Sequence, residues 1–336
     1  MSDHARSLRL SRRHFIASTC AGTAALAIGG GAAAQTETFP ARPIKLLVPY
    51  AAGGGTDAIA RLVAQSVSEE LGQSVVIENN GHAGGNIATH QAATATADGY
   101  TVLMANQGPM VVNPHLFKSI KIDPLKAFDP VTLIASAPLL VVVRKDSGFK
   151  SLADLVAQAK QKAGKLTYGS AGNGSASHLA TILFEQQADF RAVHIPYRGA
   201  GPAINDLLGG QLDFMITTVP SILGHIEGKT VIPLAVTSTG RAAIFPDLPS
   251  VAESGWPNYS AAAWYGFAVP KGTSPERIEI LRAATVKAIN SPVLRDRLAK
   301  EGTMPIGNSP SDFAAMMKRE SEMWAQVIKT AGLSLN

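Results

Sequence analysis

The chain has 336 residues, 46% of them hydrophobic and 16% charged, with a formal net charge of +5. This composition lies in the globular range and is long enough for two compact domains or one large one. Four arginines against one aspartate put +3 of that charge in residues 1–34. The remainder carries about +2 with no basic run, which argues against a nucleic-acid-binding surface.

Residues 1–34 read as an export signal. Ser11-Arg12-Arg13-His14-Phe15-Ile16 has the form of a twin-arginine motif, and Ala17–Ile28 is a weakly apolar segment too short to span a bilayer as a mature helix. Ala32-Ala33-Ala34, after three glycines, forms an A-x-A-like cleavage site. The expected location of the mature protein is therefore the periplasm. The sole cysteine, Cys20, lies in this leader, so the mature chain can form neither a disulfide nor a thiolate metal site. Ala17-Ser18-Thr19 ahead of Cys20 lacks the large apolar residue of a lipoprotein anchor. No later segment reaches the roughly 18 uninterrupted apolar residues of a membrane span, so a soluble mature protein is expected.

In the mature chain, Ile44-Lys45-Leu46-Leu47-Val48 reads as a buried strand running into a glycine-rich turn, Ala51 to Gly55. Thr56 is placed to cap a helix whose apolar residues Ile59, Leu62, Val63, Val67 and Leu71 recur at helical spacing. Val75-Val76-Ile77 is a short strand, residues 81–85 a second glycine-rich loop, 86–97 a helix, and 100–105 the next strand. Strands alternating with helices across short loops imply a parallel α/β sheet. Leu139 to Val143 is strongly strand-like, and Ser151 with Asp154 three residues on opens a helix as a capping box.

A second β/α series follows, with strands at 166–169, 192–195, 214–217 and 232–236. Gly172-Asn173-Gly174 is its own glycine-rich loop, and Ser175 starts the next helix. Residues 264–269 form another strand. Ser274-Pro275, Ser291-Pro292 and Ser309-Pro310 are N-cap and first-turn pairs. The terminal helix places Phe313, Met316, Met317, Trp324, Val327 and Ile328 on one face, with the methionines as core filler. There is no internal repeat and no low-complexity linker.

A glycine-rich turn entering a helix exposes backbone N–H groups at the positive end of the helix dipole, an anion site that needs no formal charge. Three turns have this form, at 53–57, 84–86 and 172–175. Each alone is also what tight strand–helix packing requires. Other chemistries fit less well. Gly53-Gly54-Gly55-Thr56-Asp57-Ala58 matches G-x-G-x-x-A, and Glu78 ends the next strand where a ribose-binding acid belongs, so a dinucleotide-dependent oxidoreductase is a rival reading. Residues 172–177 are not a nucleophile elbow, and no acid is placed to orient His178. His82, His90, His115, His194 and His225 lack metal-ligand spacing.

A series of motifs carries a family resemblance along residues 39–336. It includes Phe39 to Ile44, Val48-Pro49-Tyr50 through Gly53-Gly54-Gly55-Thr56-Asp57, Val76 to Asn79 with Ala83 to Asn86, and Asp98-Gly99-Tyr100-Thr101. Further on come Tyr168 to Ser175 with His178-Leu179, Ile195 to Gly199, Leu207 to Asp213, Leu234 to Thr237, Pro246 to Glu253 and Trp264-Tyr265-Gly266. In this order they resemble the substrate-binding proteins of tripartite tricarboxylate transporters, the Bug family, and the whole-chain resemblance outweighs the dinucleotide reading.

The resemblance implies an α/β, type II periplasmic binding protein fold: two α/β lobes joined by two crossing strands, with a ligand cleft between. Crossings near 139–144 and 264–269 put the first lobe at 39–138 plus 265–336 and the second at 139–264. It implies a small organic carboxylate as ligand, membrane carrier subunits as partners, no enzymatic activity, no cofactor and no metal. A monomer is expected, and a periplasmic sensor is the alternative use of the same fold. By motif match the ligand residues are Tyr50, Gly54, Thr56 and Asp57, then Ser170, Asn173, Ser175, His178 and Tyr197. Asp57 either touches the ligand or, as a first-turn helix residue, buttresses the loop. Thr217 and Thr218 complete the set. They stand where an acid is expected in amino-acid-binding members, which points to a mono- or dicarboxylate or an aromatic acid without an α-amino group.

Overall fold

The computed structural model describes residues 38–162, 164–330 and 333–335, so the leader motifs at 11–34 lie outside the described residues. The first series runs β1 (Ile44–Val48), α1 (Gly55–Leu71), β2 (Val75–Asn79), α2 (Asn86–Ala93) and β3 (Thr101–Asn106). Strand β1 lies between β2 and β3 and is parallel to both. Leu46, Leu47 and Val48 have no exposed surface, as expected of a parallel strand covered on both faces. Helix α1 seats Ile59, Val63 and Val67 in the same core. Each such side chain contributes about 1.5–3 kcal/mol on full burial.

Two short helices, α3 (Asn113–Leu116) and α4 (Pro124–Ala127), lead into β4 (Phe128–Arg144), a 17-residue strand. The second series is α5 (Leu152–Gln161), β5 (Thr167–Ser170), α6 (Ala176–Ala188), β6 (Val193–Pro196), α7 (Ala200–Leu208), β7 (Phe214–Thr218), α8 (Val219–Glu227) and β8 (Val231–Val236). Then β9 (Ala262–Pro270), α9 (Pro275–Asn290), α10 (Pro292–Lys300), β10 (Met304–Pro305) and α11 (Pro310–Thr330) close the chain.

The sheet order is β2-β1-β3-β9-β4-β7-β5-β6, with β8 and β10 also on β4. Strand β4 changes partners along its length. Residues up to Pro138 pair with β9 and β10, and residues from Leu139 pair with β7 and β8. The change is pinned by Thr237. Its Oγ1 accepts from Leu139 N at 2.7 Å, its N–H donates to Leu139 O at 2.9 Å, and its carbonyl accepts from Ala261 N at 2.9 Å.

Three boundaries differ from the sequence reading. Strand β4 begins at Phe128, eleven residues before the apolar run at 139–143. Pro130 falls at one of two register shifts opposite β9, and such bulges let a strand absorb a proline and polar residues. Helix α2 stops at Ala93, where the Thr94 hydroxyl donates to His90 O at 2.9 Å. Helix α1 is capped by Gly54 rather than Thr56, which lies inside the first turn. At Ser151, Ser175, Ser274 and Ser291 the hydroxyl does accept a backbone N–H of the first turn.

Candidate functional site

The carboxyl ends of β1, β3, β5 and β7 converge with β9 around one cavity of about 50 Å³. In α/β sheets such strand ends are where ligands sit. Tyr50 and Gly54 come from the β1–α1 turn, Gly55 and Thr56 from the start of α1, Asn106 ends β3, and Gln107 and Gly108 follow it. Ala171 and Ser175 to Ser177 follow β5, while Thr217, Thr218, Ser221 and Ala200 come from the β7 and α7 side. Ala263, Trp264 and Tyr265 of β9 complete the lining.

Backbone from the two series meets beside the cavity. Ala51 N donates to Arg198 O at 2.9 Å, and Gly55 N donates to Ser221 Oγ at 2.7 Å. Gly81 is required here, because a Cβ on it would run into the Arg198 carbonyl. A Cβ on Gly55 would meet the Thr218 hydroxyl and lie 2.8 Å from Ser221 Oγ.

Among the described residues, no charged side chain lines the cavity. The first turns of α1, α6 and α8 do, and first-turn N–H groups have no partner within their own helix. The field there favours an anion. Burial drives the Tyr265 phenol up to about 12, tempered by the Thr218 hydroxyl beside it. Burial, with Tyr265 as neighbour, lifts Tyr50 further still. Both are therefore neutral groups at any physiological pH, with a proton to donate. The Tyr265 hydroxyl and Asn106 Oδ1 are buried without a hydrogen-bond partner among the described residues. An unsatisfied buried polar group costs about 1–3 kcal/mol, so these two atoms mark where a ligand gains most.

Of the eleven residues singled out from the sequence, Tyr50, Gly54, Thr56, Ser175, Thr217 and Thr218 line this cavity. Asp57, Ser170, Asn173, His178 and Tyr197 do not, and the contacts of four of them explain why. Asp57 is turned onto its own loop, accepting from Gly53 N, Arg61 Nε and Asn79 Nδ2, each at 3.0 Å. Burial alone would raise its carboxyl, but these bonds hold it below the usual carboxylate range. Ser170 is fully buried and bonds His194 Nε2 at 2.6 Å and Gly172 N at 3.1 Å. His178 Nδ1 accepts from Gly174 N at 3.1 Å. The Tyr197 hydroxyl donates to Asp206 at 2.5 Å. Each of these side chains shapes a loop whose backbone borders the site. Arg198 is exposed and meets the first series only through its carbonyl.

The residues sequence reasoning left out are chiefly Asn106, Gln107, Ser177, Ser221, Trp264 and Tyr265. Position at a strand's carboxyl end was the available signal for Asn106 and Gln107. Trp264-Tyr265 stood out only as a motif on a crossing strand.

His178 and His194 stack with ring centroids 4.0 Å apart, and Tyr168 covers His194 at 4.8 Å. Burial lowers His178 to about 3, with His194 adding to the effect, and burial lowers His194 to about 4. Both rings are neutral in the fold but protonate near pH 6.5 once unfolded. The fold is therefore unaffected by these groups above about pH 6.5. Each then removes up to about 1.4 kcal/mol of stability per pH unit, until its folded-state value is reached. The melting temperature is expected to fall as pH drops from about 6.5 to 4, with a shallower slope in His194→Gln. Equal slopes in calorimetric scans of the two proteins would contradict this assignment.

A family model described as the tripartite tricarboxylate transporter family receptor matches residues 59–333. Protein BugT of Bordetella pertussis is 35% identical over 308 residues, covering 91% of this chain and 94% of the relative. Among solved structures, Rpa4515 of R. palustris with adipate is 35% identical, with a TM-score of 0.85, covering 88% of this chain and 99% of that one. MatC of Rhodopseudomonas palustris with bound malate is 30% identical, with a TM-score of 0.82, covering 86% of this chain and all of that one.

Proposed function

We propose, because this chain belongs to the tripartite tricarboxylate transporter family of receptors, that its cavity captures a small organic acid without an amino group for a membrane carrier. The protein is a periplasmic solute-binding protein, not an enzyme, with the two-lobed α/β fold of periplasmic binding proteins. The single observation that carries the ligand class is a cavity lined by helix N-termini and neutral donors, with no charged side chain among the described residues. Such a site stabilises a carboxylate through dipoles and hydrogen bonds, and offers a cation no counter-charge. Two structural neighbours hold adipate and malate.

In this reading the lobes are 39–138 plus 265–336 and 139–264, and β4 and β9 act as the hinge. The protein works as a monomer and is exported through a twin-arginine-type signal at 1–34. Tyr265, Thr56, Ser175, Thr217 and Thr218 supply ligand hydrogen bonds. Asp57, Ser170, His178 and Tyr197 hold the loops that present the backbone amides.

The test is calorimetry with succinate, malate, adipate and benzoate. At least one is expected to bind saturably, and Tyr265→Phe is expected to weaken it roughly 10- to 150-fold. That range is a hydrogen bond to a charged group, about 1.5–3 kcal/mol. Failure of every acid would end the carboxylate reading. An unchanged affinity in Tyr265→Phe would remove that hydroxyl from the site.

A further inference from the structure

Helix α11 and helix α6 flank a second cavity over β9, of about 370 Å³, within the roughly 300–1,000 Å³ range of small-molecule sites. Its walls are Leu179 and Leu183 of α6, Met316, Met323 and Trp324 of α11, and Trp264 of β9. One ionisable side chain faces this apolar space, Glu320. Its Oε2 accepts from Trp264 Nε1 at 2.8 Å and from Gln107 Nε2 at 3.3 Å. Its Oε1 makes no hydrogen bond among the described residues. None of the ion pairs among the described residues includes Glu320. Burial pushes this carboxyl up, against the bonds from Trp264 and Gln107 and the more distant charge of Arg319.

Glu320 is half-buried; a carboxylate partly withdrawn from water without a cation is unfavourable, and two indoles and two thioethers around it are the surfaces that attract an organic cation. We propose that this groove is a second binding site, for a small primary ammonium on an apolar or aromatic stem. The ammonium pairs with Glu320 Oε1, and the stem lies between α6 and α11. The site is separate in chemistry from the acid-binding cavity and does not depend on which acid, if any, fills that cavity. The two share Gln107 and Trp264 as a common wall, so an occupant that takes up Glu320 also acts on two residues of the first site.

Phenethylamine is the probe, with 2-phenylethanol and 3-phenylpropionate as neutral and anionic isosteres. In protein labelled with ¹⁵N-tryptophan, the indole signals of Trp264 and Trp324 are expected to shift saturably with phenethylamine. Trp256, the third tryptophan, is absent from the groove's lining and serves as the internal reference. The alcohol and the acid are expected to bind at least tenfold more weakly than the amine. Glu320→Gln is expected to abolish that preference. Met323, 49% exposed at the rim, allows Met323→Arg as a second variant that repels the amine without entering the core, and the same loss is expected there. Equal binding of all three probes would leave Glu320 as a positioning residue for Trp264 and overturn the proposal. So would the absence of saturable shifts at millimolar amine, or full retention of amine preference in both variants.

Discussion

Gly55→Ala is expected to weaken binding of whichever acid the protein takes by between about fivefold and 150-fold, with the melting temperature of the unliganded protein unchanged. The new methyl group enters no core. It points at the Thr218 hydroxyl and lies 2.8 Å from Ser221 Oγ, both contributed by the β7–α8 corner. The same corner accepts the Gly55 N–H at 2.7 Å, and in the two-lobed reading proposed above this contact belongs to the closed state. Forcing a methyl group into a packed contact costs about 1–3 kcal/mol, and here that cost falls on the closed state alone. A ligand that binds the closed state must overcome it, and the apparent affinity drops by the same factor. Two measurements check this. Calorimetry reads the affinity, and solution scattering at saturating ligand reads the shape, with the variant compacting only at higher ligand concentration than wild type. Wild-type affinity in Gly55→Ala would show that the halves do not need this contact to hold ligand.

The same residues show where sequence reasoning reaches and where it stops. Regular alternation of apolar strands with helices made the β/α series legible, because a buried parallel strand and an amphipathic helix each impose a period on the chain. Serine caps were legible for the same local reason. The turn at 53–57 was legible as a glycine-rich entry into a helix, since a helix N-terminus after glycines is a local feature. The role of Asp57 was not. Its fate is decided by Asn79, 22 residues away, and by Arg61 one helical turn on. Only the arginine could have been noticed from spacing. Strand β4 escaped over its first half because bulges and prolines erase periodicity, although pairing with β9 restores the strand. Tyr265 is the clearest loss. It sits on a strand far along the chain from every glycine loop, and only the sheet order β3-β9-β4 brings its hydroxyl to the cavity.

Selectivity against amino acids follows from the same geometry and has the larger expected effect. An α-amino acid differs from its deaminated counterpart by one ammonium group next to the carboxylate. The cavity offers that group hydroxyls and an amide oxygen from Thr217, Thr218, Ser221 and Asn106, but no carboxylate. Asp57, the nearest candidate along the chain, is already committed to Arg61, Asn79 and the Gly53 amide. Thr217 is 1% exposed, so a cation placed beside it would lose its water without gaining a counter-charge. The effective penalty for such a charge is several kcal/mol, and the positive ends of the flanking helices add to it. Succinate is therefore expected to bind more than about a hundredfold tighter than aspartate, which corresponds to roughly 2.7 kcal/mol, and glutarate to exceed glutamate by a similar factor. The comparison by titration is internal to each pair, since the carbon skeleton is unchanged and only the ammonium differs. A Thr218→Asp variant tests the cause, because a carboxylate at that position supplies the missing partner and is expected to narrow the gap between succinate and aspartate from both sides. Tight binding of aspartate by the unaltered protein, with succinate excluded, would mean that a counter-charge reaches the cavity after all and would remove the amine-free class as its ligand.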